Sequence, residues 1–378
     1  MTIVQNDTVL QSAIEHARKR SLAFLAAMQA KSAPRGVVQI SPAHDQDAWP
    51  GVLLPGTYNG LMCLRLLGGP GFTPAEKAAL VAWLESFRRP DGVFRLPGMR
   101  DHEVFKKPDP VETWNYIDFH VTNYSLGAIE TLNEPRPPIL DFVRPWLEPQ
   151  TLEAWLSRRD LRDPWQEGNN IVNLASFFLL LRRFGSADDR AKCDAAMEIL
   201  FAWHGRLQEP ATGFWGIGQF SDPLRLQHAM AGSMHNFHLW YAAGRLLPHQ
   251  DKAVDYALSQ KPAVDSACID VDLVDLLVHA HQLIDHRRHE IEAWLRALLP
   301  AILAIQNDDG GFPDVTTGVR RQDGWVQGYE EPQGISNTFS TYFRWIAIAM
   351  IADCLWPAWR PWPFRRMIGI GYRLEPVR

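Results

Sequence analysis

Cysteine is scarce in this chain of 378 residues. There are four, Cys63, Cys193, Cys268 and Cys354, each alone and none in a Cys-x-x-Cys spacing. That pattern argues against a disulfide framework and against a structural zinc site. Basic excess is missing too: 38 Lys and Arg stand against 43 Asp and Glu, a formal net charge of -5. Nucleic acid is therefore a poor partner, since phosphate backbones select clear positive patches. Strand signals are few. Charges break every apolar run, as in LLLRRF at 179–184, so none reaches the roughly 20 residues that cross a bilayer. The N-terminal MTIVQNDTVLQSAIEHARKRS has no apolar signal-peptide core. These absences point to a soluble, cytoplasmic protein with no transmembrane segment. Its partner would be a small molecule, hydrophobic or sugar-like, and neither a cofactor nor a metal-ligand set can be assembled from the sequence.

What is present is aromatic and helical. The 15 Trp, 18 Phe and 8 Tyr suit a packed core and also the walls of a ligand cavity. Thr73-Pro74-Ala75-Glu76 places a cap, a first-position proline and a third-position acid in order. Ser186-Ala187-Asp188-Asp189 opens another helix, and a third starts near Arg288 with Pro300 as an expected kink. Apolar periodicity predicts six amphipathic helices, at 9–28, 74–89, 140–158, 187–207, 252–260 and 288–306. Each pairs with a more apolar helix, beginning at Gly56, Ile117, Gly168, Ser233, Asp270 and Gly334. Three of the amphipathic helices share an ending of polar turn, Gly and aromatic: FRRPDGVF, LQEPATGFW and IQNDDGGFP. Six alternations at roughly fifty-residue intervals predict an all-α fold, a single α/α toroid of six inner and six outer helices. It is expected to occupy residues 1–355, with a Trp/Arg/Pro-rich tail over 356–378. An open α-solenoid would alternate in the same way; closure is inferred from the count of six.

The stretch DVDLVDLLVHAHQL (270–283), followed by QNDDGGFPD (306–314), resembles the terpenoid cyclase and protein prenyltransferase superfamily. It is most similar to the squalene–hopene cyclase-type, class II members. Asp270-Val271-Asp272 matches the first three positions of their Asp-x-Asp-Asp acid motif, and Leu273 departs at the fourth. Full-length triterpene cyclases also carry a second toroid, for which this chain has no repeats. The resemblance implies that Asp272 protonates an alkene or epoxide of an isoprenoid-type substrate, starting a cyclisation or isomerisation. A carboxylic acid does this only if burial keeps it protonated and a neighbour stabilises its anion. With leucine at 273, that tuning falls to Asp270, Asp275 or a histidine. Protein prenyl transfer is disfavoured, because its zinc site and diphosphate-binding basic residues are not apparent.

In a toroid the inner-helix starts converge on one end of a cavity, which makes their polar residues the candidate site. The catalytic candidates are Asp272, His235, His238, His120 and Tyr329. The substrate-binding candidates are Tyr58, Trp114, Asn123, Asn170, Trp215, Trp240, Asp270, Trp325, Glu331, Asn337 and Tyr342. Helix capping is the plainer reading of Asp270, Asn169 and Ser336. His235 and His238 share a helix face; with no acidic third ligand beside them in sequence, acid–base duty is preferred to metal binding. A carbohydrate lyase or epimerase would use the same residues, with Asn170, a histidine and Tyr329 or Tyr342 around a uronate. A hydrolase would need facing carboxylates among Glu112, Glu167, Glu330 and Glu331. A toroid that only binds a glycan or a protein is the third reading. Loops 101–116 and 316–333 are expected as lids. The tail is expected to act as a structural clamp, and a homodimer interface is its alternative use.

Overall fold

The structure is a computed structural model and describes residues 7–96, 110–132, 138–162, 164–216, 218, 221–314 and 329–359, with the backbone of 367–368 and 372–373; side chains between 110 and 116 are outside it. Helix ends follow local chemistry. The helices are α1 (Asp7–Ala27), α2 (Leu53–Leu66), α3 (Pro74–Glu85), α4 (Pro110–Thr131), α5 (Pro149–Ser157) and α6 (Pro164–Phe184). They continue with α7 (Ala187–Leu207), α8 (Pro223–Ala242), α9 (Gln250–Ser259), α10 (Ala267–Leu283), α11 (Arg288–Ala304) and α12 (Thr338–Leu355). A two-residue antiparallel pair, β1 (Met367–Ile368) with β2 (Tyr372–Arg373), follows. The fold is all-α in class. Thr73 and Glu76 close a capping box on α3, and Ser186 and Asp189 close one on α7.

Several boundaries differ from the sequence reading, each for a local reason. The helix expected over 140–158 breaks into a 3-10 segment, Asp141–Leu147, and α5, because Pro149 restarts it. Pro300 stays inside an unbroken α11. The helix expected from Ser233 starts ten residues earlier, at Pro223. There Asp222 accepts the N–H groups of Leu224 and Arg225, the same cap-and-proline device as Thr73-Pro74. Likewise α4 begins at Pro110, so part of the loop expected over 101–116 is helix; the rest lies outside the described residues. None of Asp270, Asn169 and Ser336 is the cap of its helix: Ser266 caps α10, Asn337 caps α12, and Asn169 lies within α6.

Packing follows apolarity. Helices α2, α4, α6, α8, α10 and α12 each contact the next in that order, and α12 contacts α2. The amphipathic helices cover them: α3 on α4, α7 on α6, α9 on α10 and α11, α11 on α10 and α12, and α1 on α2, α11 and α12. No helix among the described residues is long and apolar enough to cross a membrane.

The shared helix ending has a structural job. Phe94, Trp215 and Phe312 donate their backbone N–H to Thr122 Oγ1, Ser233 Oγ and Thr341 Oγ1 at 2.8, 2.7 and 2.9 Å. Val38 donates to Thr57 Oγ1 at 3.1 Å, a fourth copy that the sequence disguises by using valine for the aromatic. Each donor lies two residues after a glycine of positive φ; at Gly92 (104°) and Gly310 (91°) a Cβ would also meet the carbonyl oxygens of Ile139 and Arg20. The turns thus pin the ends of α1, α3, α7 and α11 to hydroxyls on α2, α4, α8 and α12. Between α1 and α12, Trp345 is fully buried, and its Nε1 donates to Ser21 Oγ at 2.8 Å.

Candidate active site

The seam between α8 and α10 carries two histidine–aspartate pairs one turn apart, because spacing of three residues keeps side chains on one helix face. His235 Nε2 lies 3.7 Å from Asp272 Oδ1, and His238 Nε2 is 2.9 Å from Asp275 Oδ2. All four are buried. Because α8 starts at Pro223, His235 sits three turns into its helix instead of at the end, and the site is a mid-helix layer.

The two pairs differ in charge. Asp275 is gripped from both sides, since His279 Nδ1 also contacts its carboxylate, and Tyr241 stacks on His279 at 4.1 Å. Burial alone would raise the Asp275 carboxyl. His279 and His238 outweigh it through charge and hydrogen bonding and hold it below the usual carboxylate range. Asp272 has no such grip. Burial, then the charges of Asp275 and Asp270, push it well above the ordinary value. Its Oδ2 is buried with no hydrogen-bond partner among the described residues, as is Nδ1 of both His235 and His238. Burial holds His235 down to about 3, with His238 and His120 adding to the effect. Burial thus disfavours the charged form of both Asp272 and His235.

Asp270, two residues earlier, turns the other way. It is ion-paired with Arg344 of α12, which is fully buried and also donates to the Asp314 carbonyl at 2.7 Å. Asp314 Oδ1 in turn accepts the N–H of Ala267 at 2.9 Å, fixing the first turn of α10. Burial pushes Asp270 up to about 6 against the pull of Arg344.

The other candidates fall into separate groups. His120 on α4 adds to the downward pull on His235 and is itself held down to about 3 by burial. It packs on Tyr124, which packs on Tyr58 at 5.0 Å. Asn123 donates to Asn173 at 3.0 Å, and Asn170 to Glu167 at 3.2 Å; Glu167 is ion-paired with Arg159. Tyr329 donates to Glu331 at 3.0 Å, and burial pushes Glu331 up to about 7. Asn337 is spent as the cap of α12, and Tyr342 is fully buried against Phe343. Trp215 donates to the His204 carbonyl and Trp240 packs on Phe201, so both fill the layer against α7 and not the α8–α10 seam. The Trp114 side chain and Trp325 lie outside the described residues, as does most of the loop expected over 316–333.

Sequence reasoning missed two participants. Arg344 is the lone cation in the apolar run TFSTYFRWIAIAMI, which was a readable signal. Cys268 stands four residues before Asp272, on the same face of α10. Its sulfur, a ring nitrogen of His235 and a carboxylate oxygen of Asp272 all lie within 4.8 Å of one another, a set able to hold a metal ion. The sequence had offered no acid or thiol beside the two histidines; the fold brings both. Neither a protein-family model nor a curated protein matches the sequence.

Proposed function

We propose that the chain is a single α/α toroid of terpenoid cyclase type, an enzyme that starts its reaction by protonating a hydrophobic isoprenoid-type substrate from Asp272. The observation that carries this reading is a buried carboxyl with one unpartnered oxygen, whose ionisation is disfavoured by burial and by two flanking carboxylates. The circuit of contacts from α2 through α12 and back to α2 supports the toroid. In the first step the Asp272 O–H adds its proton to an alkene or epoxide, leaving a carboxylate and a cation. His235 has only to close 3.7 Å to hydrogen-bond distance to donate to that carboxylate. The rings of Tyr58 and Tyr124 offer faces to a carbocation. Loss of a proton from a neighbouring carbon ends the reaction, and its return to Asp272 restores the acid.

A second reading is favoured by the buried amides Asn123, Asn170 and Asn173: a uronate lyase or epimerase on the same scaffold. One experiment separates them. Wild type and Asp272→Asn are incubated with linear isoprenyl diphosphates, alkenes and epoxides, and with uronate polysaccharides, and products are read by mass spectrometry. Isoprenoid turnover is expected, falling by roughly 10²–10⁴-fold in the variant. Uronate turnover that survives Asp272→Asn and is lost in Tyr329→Phe would replace the first reading with the second.

A further inference from the structure

Three donor atoms of different chemistry converge where α8 meets α10. They are a ring nitrogen of His235, the sulfur of Cys268 and a carboxylate oxygen of Asp272. We propose that they bind a borderline-soft divalent cation of the zinc class, and that the bound cation silences the site by occupying the carboxyl of Asp272. The silencing rests on the reading of Asp272 as the acid; the binding does not.

The donor set selects the metal. Magnesium and calcium take oxygen ligands, whereas nitrogen, sulfur and oxygen meeting at one point suit zinc or cobalt. The spacing is close to what is needed. Zinc bonds of about 2.0–2.3 Å set tetrahedral ligand atoms about 3.3–3.8 Å apart. His235 Nε2 and Asp272 Oδ1 already stand at 3.7 Å, and the set as a whole lies within 4.8 Å. Contraction by about an ångström is within reach of side-chain rotation at Cys268, which is only partly buried. Three protein ligands leave a fourth position open, as in zinc sites that exchange a small ligand.

A second observation points the same way. Among the described residues, Asp272 Oδ2 is buried and unpartnered, on a side chain 6% exposed. Buried polar atoms left without partners cost stability unless something completes them. The other pair is already occupied, because Asp275 is in ion-pair contact with both His238 and His279. Binding releases the thiol proton of Cys268 and any proton that the Asp272 carboxyl carries, and no electron moves.

The test titrates the metal-free full-length chain with Co²⁺. A thiolate-to-cobalt charge-transfer band and intense visible bands of tetrahedral cobalt are expected, with Zn²⁺ bleaching the spectrum. Cys268→Ser should lose the charge-transfer band, and Asp272→Asn should weaken cobalt binding at least about tenfold; circular dichroism verifies that each variant is folded. A weak octahedral spectrum, or a charge-transfer band that persists in Cys268→Ser, overturns the site. If cobalt binds as described but Asp272→Asn leaves turnover unchanged, the acid reading falls and the site stands. If Asp272→Asn abolishes turnover and no band appears, the site falls and the acid stands. Where both hold, saturating zinc should suppress turnover, and unchanged turnover would overturn the silencing.

Discussion

The two seams of α10 use the same residue type to opposite ends. On the α12 side, Asp270 meets Arg344, Arg344 meets the Asp314 carbonyl, and Asp314 meets the N–H of Ala267, so the charged groups bond to one another and, among the described residues, only Arg344 Nε is left over. On the α8 side, Asp272 and His235 stand close without bonding, and atoms of both are left open. Composition does not separate a structural carboxylate from a reactive one. Satisfaction does: the closed seam holds the fold, and the open seam has free bonding capacity for a reactant.

The sharpest way to break this comparison is to open the closed seam. Arg344→Met leaves Asp270 buried without its cation, and removing one partner of a buried pair costs about 3–5 kcal/mol. Denaturant unfolding should show that loss, and Arg344→Met/Asp270→Asn should recover most of it. A single variant as stable as wild type would mean that the α12 seam is not structural. Asp272→Asn, by contrast, is expected to leave stability unchanged or raised, because it removes a carboxyl whose ionised form burial disfavours.

Glu331 offers an intermediate case, a buried acid that accepts from Tyr329. Its folded value near 7 lies above the ordinary 4.5, so the folded state holds the extra proton between them. Its contribution is present below about pH 4.5 and is lost as pH rises through about 7. Glu331→Gln should therefore abolish a stability loss of up to about 3 kcal/mol between pH about 5 and about 8. Melting curves across that range measure it, and identical pH profiles for variant and wild type would show that Glu331 is ionised throughout.

How far the sequence reached follows the same division. Helix α7 was legible to the residue, because its capping box and its end are both local. The start of α8 at Asp222-Pro223 was equally local and went unread, because polar side chains further along drew the boundary to Ser233. Asp272 was singled out through a resemblance; what the structure adds is its burial and the charges of Asp275 and Asp270 beside it. The Asp270–Arg344 pair was not, since its partners are 74 residues apart and nothing local couples them. Cys268 failed for a related reason: its meaning depends on a histidine from another helix.

The smallest expected effect is the most direct probe of the open seam. Asp275 carries a negative charge, fixed by His238 and His279, and that charge helps to keep Asp272 protonated. Asp275→Asn removes it, so the Asp272 carboxyl should ionise at lower pH than in the wild type. Activity that needs the protonated acid should then fall away at lower pH on the alkaline side, with the maximal rate little changed. Loss of activity at every pH would instead make Asp275 a participant in the chemistry. An unmoved profile would mean that burial alone sets the acid, and that the two histidine–aspartate pairs, one turn apart, do not communicate.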